Sequence, residues 1–249
     1  MTYCLAIALK EGLVFCSDSR TNAGADRVST YSKMHRFSVP YDRSLVLVSA
    51  GNLATSQAVV AQIQRDLEEA TKFDILKAKY VSEIADYVGK ISLKEQAKYS
   101  GENNSLAGFN AGATFILGGQ IKGQPMELYM IYPEGNHITA SEQHPYLQIG
   151  ETKYGKPILD RIIRTDTPWS TAMRCGLVSL DSTIRSNATV GPPLECLFYR
   201  ADSLQPHEHY FKLEEHHPYL ASLRQSWDDN IRQAFDNLPS LTEVFEAEK

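Results

Sequence analysis

The chain has 249 residues, 43% of them hydrophobic and 22% charged, which suits a globular domain with a full core and fits one large domain or two small ones. Its formal net charge of -5 argues against a dedicated nucleic-acid binder. The longest apolar runs are only of strand length, which argues against a membrane span, and the amino end lacks the basic-then-apolar pattern of a signal peptide.

The first thirty-three residues carry the chemistry. Residues 2–9 and 12–17 read as two strands, apolar on both faces, separated by Lys10-Glu11-Gly12, where Gly12 can supply a positive φ. If Met1 is removed, Thr2 offers a hydroxyl and a free amine in one residue, nucleophile and base together. Asp18 ends the second strand and is costly there unless paired. Residues 19–32 are polar and read as a long loop, and Lys33 follows as a partner for Asp18.

Residues 44–50 are the clearest buried strand. Gly51-Asn52 ends it, with Asn52 as the N-cap of a helix whose Leu53, Val60, Ile63 and Leu67 share one face. Such a strand–Gly–helix junction presents backbone N–H groups at a positive helix end, a geometry suited to an oxyanion hole. A second helix is expected over 74–98, on the face of Phe73, Leu76, Tyr80, Ile84, Tyr87 and Ile91. Residues 100–110 read as a polar loop, and strands over 112–118 and 126–132 are joined by a turn around Lys122-Gly123-Gln124. Short strand patterns over 137–149 lead into Gly150-Glu151-Thr152.

A helix near 153–164 tolerates Pro157 only in its first turn, and a fourth begins at Thr167-Pro168 with Thr167 as N-cap. Trp169, Met173, Leu177, Leu180 and Ile184 line its apolar face. A turn over 186–193 precedes strands at 194–200 and 207–213, then a helix at 216–236. His207, His209, His216 and His217 near that end read as solvated rather than metal-binding. The four cysteines, Cys4, Cys16, Cys175 and Cys196, are scattered without C-x-x-C spacing and read as buried free thiols of a cytoplasmic protein. No metal or other cofactor is expected. The segregation of strand pairs from helix pairs suits an α+β four-layer αββα sandwich, two stacked antiparallel sheets flanked by helices, in a single domain over 1–249.

Taken together, these segments resemble a proteasome β-type subunit, an N-terminal-nucleophile (Ntn) hydrolase. The likeness is carried by Thr2, by Ser17-Asp18-Ser19-Arg20, by Lys33 and by Ala50-Gly51. Within that superfamily the stretches Ser17 to Lys33, Ser49 to Thr55 and Asp181 to Pro192 are most similar to Anbu, the bacterial ancestral β-subunit family. Residues from about 205 to 249 read as a C-terminal extension, which also suits that family. The resemblance implies Thr2, Asp18 and Lys33 as catalytic residues, the Gly51 N–H as oxyanion donor, and Ser17, Arg20, Glu151, Ser186 and Asn187 around them. Glu151 stands where the family turn Gly-Ser-Gly has its serine, and Asn187 stands where an aspartate is expected. The implied activity is a threonine-type peptidase or amidohydrolase on a peptide or amide substrate, in a homo-oligomeric ring or spiral, with neither nucleic-acid nor membrane partner. A ring-forming scaffold with a weak or silent site, and a small-molecule Ntn amidase, stay open beside it.

Overall fold

The computed structural model describes residues 1–22, 28–99, 110–205 and 209–241. They divide into two compact units, Met1–Glu214 and Glu215–Lys249.

In the first unit, strands β1 (Tyr3–Leu9) and β2 (Gly12–Asp18) are followed by a small two-stranded ribbon, β3 (Arg20–Asn22) and β4 (Val28–Thr30). Next come β5 (Met34–Val39), β6 (Arg43–Gly51), helices α1 (Leu53–Glu68) and α2 (Val81–Ala97), and β7 (Ala113–Ile121) to β8 (Glu127–Ile131), β9 (His137–Thr139) and β10 (Tyr146–Gly150). Helices α3 (Lys156–Ile162) and α4 (Trp169–Ser186) and strands β11 (Leu194–Arg200) and β12 (His209–Leu213) complete it. Two antiparallel five-stranded sheets result, ordered β10-β1-β2-β11-β12 and β5-β6-β7-β8-β9. Helices α1 and α2 cover the second sheet and α4, with α3 packed against it, covers the first, so this unit is the expected αββα sandwich.

The period-2 alternation of a strand, with both faces of the sheet covered, explains why nearly every residue of β6 is buried. Val46 and Val48 face the other sheet, meeting Cys4, Ala6, Leu13 and Phe15. Leu45 and Leu47 face the opposite way, into a second core with Val59, Ile63, Ile84 and Val88 of the helices. Fully burying each such side chain contributes about 1.5–3 kcal/mol. On the far side of the first sheet α4 lies so close to β2 that a Cβ on Gly176 would stand 2.7 Å from the Cys16 Sγ.

Several elements differ from the sequence reading. The expected loop over 19–32 contains the β3–β4 ribbon, because its Ser and Thr residues pair by backbone and need no apolar face. Helix α2 starts at Val81 rather than near 74, because the Asp74 carboxylate accepts the Leu76 and Lys77 N–H groups and closes a local turn there. Phe73, Leu76 and Tyr80 are therefore exposed, as is Leu53 at the start of α1, while Ile84 and Ile91 are buried. Helix α4 begins one residue later than expected. Thr167 Oγ1 accepts the Arg164 N–H beyond the end of α3 instead of capping α4. Most of the polar loop expected over 100–110 lies outside the described residues, as does His207. His209 stacks against Trp169 and Phe198.

The second unit is built on α5 (Pro218–Asp236), where His217 is the N-cap and its Nδ1 accepts the Tyr219 N–H at 3.2 Å.

Candidate active site

The residues just before β1 and the ends of β6 and β10 meet at one cavity of about 740 Å³. Thr2, Lys33, Gly51 and Gly150 line it, together with Arg20, Thr21 and Asn22 of β3 and Ser29 and Thr30 of β4. The sheet register fixes Thr2. Tyr3 pairs with Gly150 and Cys4 with Ser17, so the residue before Tyr3 emerges at the rim of the first sheet. The Glu151 N–H donates to the Thr2 carbonyl at 2.8 Å. Gly150 adopts φ +85°, and a Cβ there would stand 1.9 Å from that same carbonyl oxygen, so only glycine fits.

Asp18 is fully buried, with 0% exposure. Its Oδ1 accepts the Lys33 ammonium at 2.6 Å and the Tyr3 N–H at 3.0 Å, and its Oδ2 accepts the Gly191 N–H at 3.1 Å. Burial pushes the Asp18 carboxyl above the ordinary carboxylate range, against the opposing pull of Lys33 and the two backbone donors. Lys33, 3% exposed, also donates to the Arg20 carbonyl at 2.7 Å. Among the described residues the Lys33 ammonium makes no hydrogen bond to the Thr2 hydroxyl, although the two share the cavity; it has a third N–H to offer.

Gly51 ends β6 with φ +100°, and a Cβ would stand 2.5 Å from the Gly112 carbonyl. In an antiparallel ladder successive N–H groups point to opposite sides. The Asn52 N–H goes to Gly112 on β7's side and the Ser49 N–H to the Lys33 carbonyl, so the Gly51 N–H points to the Lys33 side, beyond the start of β5. Asn52 caps α1, accepting the Thr55 N–H at 3.1 Å, which sets Gly51 at the positive end of that helix. The amino-terminal amine, on Met1 here, is lowered from its ordinary value by burial and then by Lys33, against Asp18 and Glu151.

The outer residues separate. Arg20 lines the cavity and donates to the Ala188 carbonyl at 2.9 Å. Asn187 shapes the turn leading to Gly191, accepting the Thr189 N–H at 3.0 Å. Glu151, nearly buried, neighbours the amine. Ser17 is buried, its hydroxyl without a partner among the described residues, and Ser186 is exposed at the end of α4 and does not line the cavity. Sequence reasoning missed Gly150, whose only signal was a glycine after a strand, and Glu195, an acid inside the apolar run of β11.

An αββα sandwich that delivers residue 2 into a cavity beside an Asp–Lys pair is the proteasome-type β-subunit form of the Ntn fold. No model of a known protein family matches the chain, and no curated protein does. Solved structures do. Anbu (ancestral beta-subunit) from Yersinia bercovieri is 43% identical, with 96% of this chain and 98% of that one covered and a TM-score of 0.89. The helical assembly of the Anbu complex from Pseudomonas aeruginosa is 44% identical over 96% and 97% of the two chains, with a TM-score of 0.90. A Gly-1 mutant of Anbu from Hyphomicrobium sp. strain MC1 is 38% identical over 97% and 99%, with a TM-score of 0.88. The chain belongs to the Anbu family.

Proposed function

We propose that this protein is a threonine-type peptidase or amidohydrolase that acts once its chain begins at Thr2. The supporting observation is the single cavity that unites Thr2, the Asp18-bound Lys33 and Gly51. The Thr2 Oγ1 adds to a peptide or amide carbonyl carbon while its proton passes to the α-amine of the same residue. The Gly51 N–H takes the negative charge that develops on the carbonyl oxygen. The protonated amine then gives its proton to the departing nitrogen, leaving an ester on Thr2 that water hydrolyses. Lys33 disfavours a second positive charge nearby and so keeps the amine basic near neutral pH, while Asp18 holds Lys33 in place.

The fold and the helical Pseudomonas aeruginosa assembly support self-association into a ring or spiral, so a monomer in sedimentation at micromolar concentration counts against that part. Four free cysteines suit the cytoplasm. Among the described residues no helix is long and apolar enough to cross a membrane.

A second reading, a ring-forming scaffold with a silent site, draws on Glu151. It stands in sequence where the family turn carries a serine, and it favours the protonated form of the amino-terminal amine, on Met1 here; the same influence on a Thr2 amine would oppose its action as base. One experiment separates the two. Protein shown by intact mass to begin at Thr2 is treated with a peptide epoxyketone, which closes a ring on both the hydroxyl and the amine. The peptidase reading expects a gain of the reagent's mass, absent in the Thr2→Ala variant. No adduct on processed protein selects the scaffold.

A further inference from the structure

Glu195 is a buried acid that the proposed chemistry does not use. It lies on β11, 3% exposed, opposite Ser17 of β2 in the register. Three hydroxyl groups hold its carboxylate. Ser19 donates to Oε1 at 3.0 Å, and Ser32 and Tyr210 donate to Oε2 at 3.0 and 2.7 Å. A buried carboxylate is tolerated only where its lone pairs are filled, and hydrogen bonds to a charged acceptor are stronger than neutral ones.

The positions of two of those donors in the chain matter. Ser19 follows Asp18, and Ser32 precedes Lys33. Between them run β3 and β4, the ribbon that forms one wall of the cavity through Arg20, Thr21, Asn22, Ser29 and Thr30. The ribbon's two ends are thus joined through one carboxylate. The backbone adds a second tie at the same place, from the Tyr31 N–H to the Ser19 carbonyl at 2.8 Å. Ser19 and Arg20 also donate N–H groups to the Gly191 carbonyl, and Gly191 in turn donates to Asp18. The third donor, Tyr210 of β12, anchors the carboxylate from the other side under the Arg36 guanidinium, 3.9 Å from the ring centre.

We propose that Glu195 is a positioning residue. By stapling Ser19 to Ser32 it closes the base of the β3–β4 ribbon, sets the spacing of the segments that carry Asp18 and Lys33, and holds that cavity wall ready for substrate. The role rests on the peptidase reading for its catalytic consequence and is independent of it for its structural one, so two measurements are paired.

The first is hydrogen exchange, read amide by amide on full-length wild type, Glu195→Ala and Glu195→Gln. The alanine variant strips all three hydroxyls of their acceptor, and the amides of Arg20–Asn22 and Val28–Thr30 are expected to exchange about tenfold faster or more, with β6 and β7 unchanged. The glutamine variant keeps the shape and an acceptor, and rotatable hydroxyls can reverse, so protection is expected to return to within about threefold of wild type. Should Glu195→Ala fail to fold, Ser32→Ala at an exposed site removes one bond of the three, together with the Ser32 hydroxyl's contacts to the Met34 backbone, and is expected to give an intermediate, ribbon-confined increase. Unchanged exchange in the ribbon, or an equal increase throughout the unit, overturns the proposal.

The second is the rate of epoxyketone labelling on processed protein, corrected for folded fraction. Wild type must label first; its failure to do so would sink the peptidase reading and leave the exchange measurement to decide the staple. Given labelling, Glu195→Ala is expected to slow it about tenfold or more with Glu195→Gln close to wild type. Equal rates per folded molecule in all three overturn the positioning role.

Discussion

Replacing Lys33 by methionine isolates the charge at the centre of the site, because the methionine fills the lysine stem's volume and opens little cavity. The change removes the ammonium 2.6 Å from Asp18 Oδ1 and leaves a carboxylate with 0% exposure held, among the described residues, by the Tyr3 and Gly191 N–H groups. Breaking a buried pair by removing one partner costs about 3–5 kcal/mol, and the two surviving backbone bonds place this case toward the lower end. In a chain of this size each kcal/mol moves Tm by about 2–4 °C, so a loss of roughly 6–20 °C is expected. The deficit must also depend on pH. Burial already raises the Asp18 carboxyl, and Lys33 supplies the leading opposing pull, so the variant's folded value lies higher still. A carboxyl raised in the folded state favours folding when protonated. That contribution is fully present below the unfolded value of about 3.9 and is lost as pH rises through the folded value. The deficit relative to wild type is therefore smaller at pH 5 than at pH 8. Urea unfolding at both pH values measures it through the midpoint, with the slope m as a check on the denatured state. A loss under about 1 kcal/mol, the range of an exposed pair, or an equal deficit at both pH values would refute the reasoning.

Two further predictions follow from the amino-terminal end. The amino-terminal amine, on Met1 in this structure, is held below its ordinary value of 8.0 by burial and Lys33; the Thr2 amine exposed by processing is expected to feel the same two influences, and once protonated it cannot accept the Thr2 proton. Epoxyketone labelling of processed protein should therefore rise with pH to a plateau whose midpoint is below about 8, and a midpoint at or above it contradicts the assigned base. Gly150→Ala places a methyl 1.9 Å from the Thr2 carbonyl at a φ of +85°. It should cost at least about 1–2 kcal/mol in urea unfolding and slow labelling about tenfold, and a wild-type rate would show that Thr2 is not held there.

The sequence by itself determined the layers. Strands such as β6, apolar at every position from Leu45 to Val48, can be satisfied only between two covered faces, and α1 carries its own start in Asn52. The residues Thr2, Asp18, Lys33 and Gly51 were legible as candidates through their resemblance to a family motif, and each falls at an element boundary. What periodicity could not supply was anything decided by a distant partner. The ribbon inside residues 19–32 has no apolar face to advertise it, and α2 starts late because Asp74 gives its carboxylate to a local turn. Lys33 gives its two hydrogen bonds to Asp18 and to the Arg20 carbonyl, partners set by where β2 ends and β3 begins. Glu195 reads as a stray charge in the apolar strand β11, and only the pairing of β11 with β2 brings its carboxylate to Ser19 and Ser32, 176 and 163 residues away in sequence. A buried carboxylate is stable only where such donors converge, and that convergence is a property of the folded chain alone.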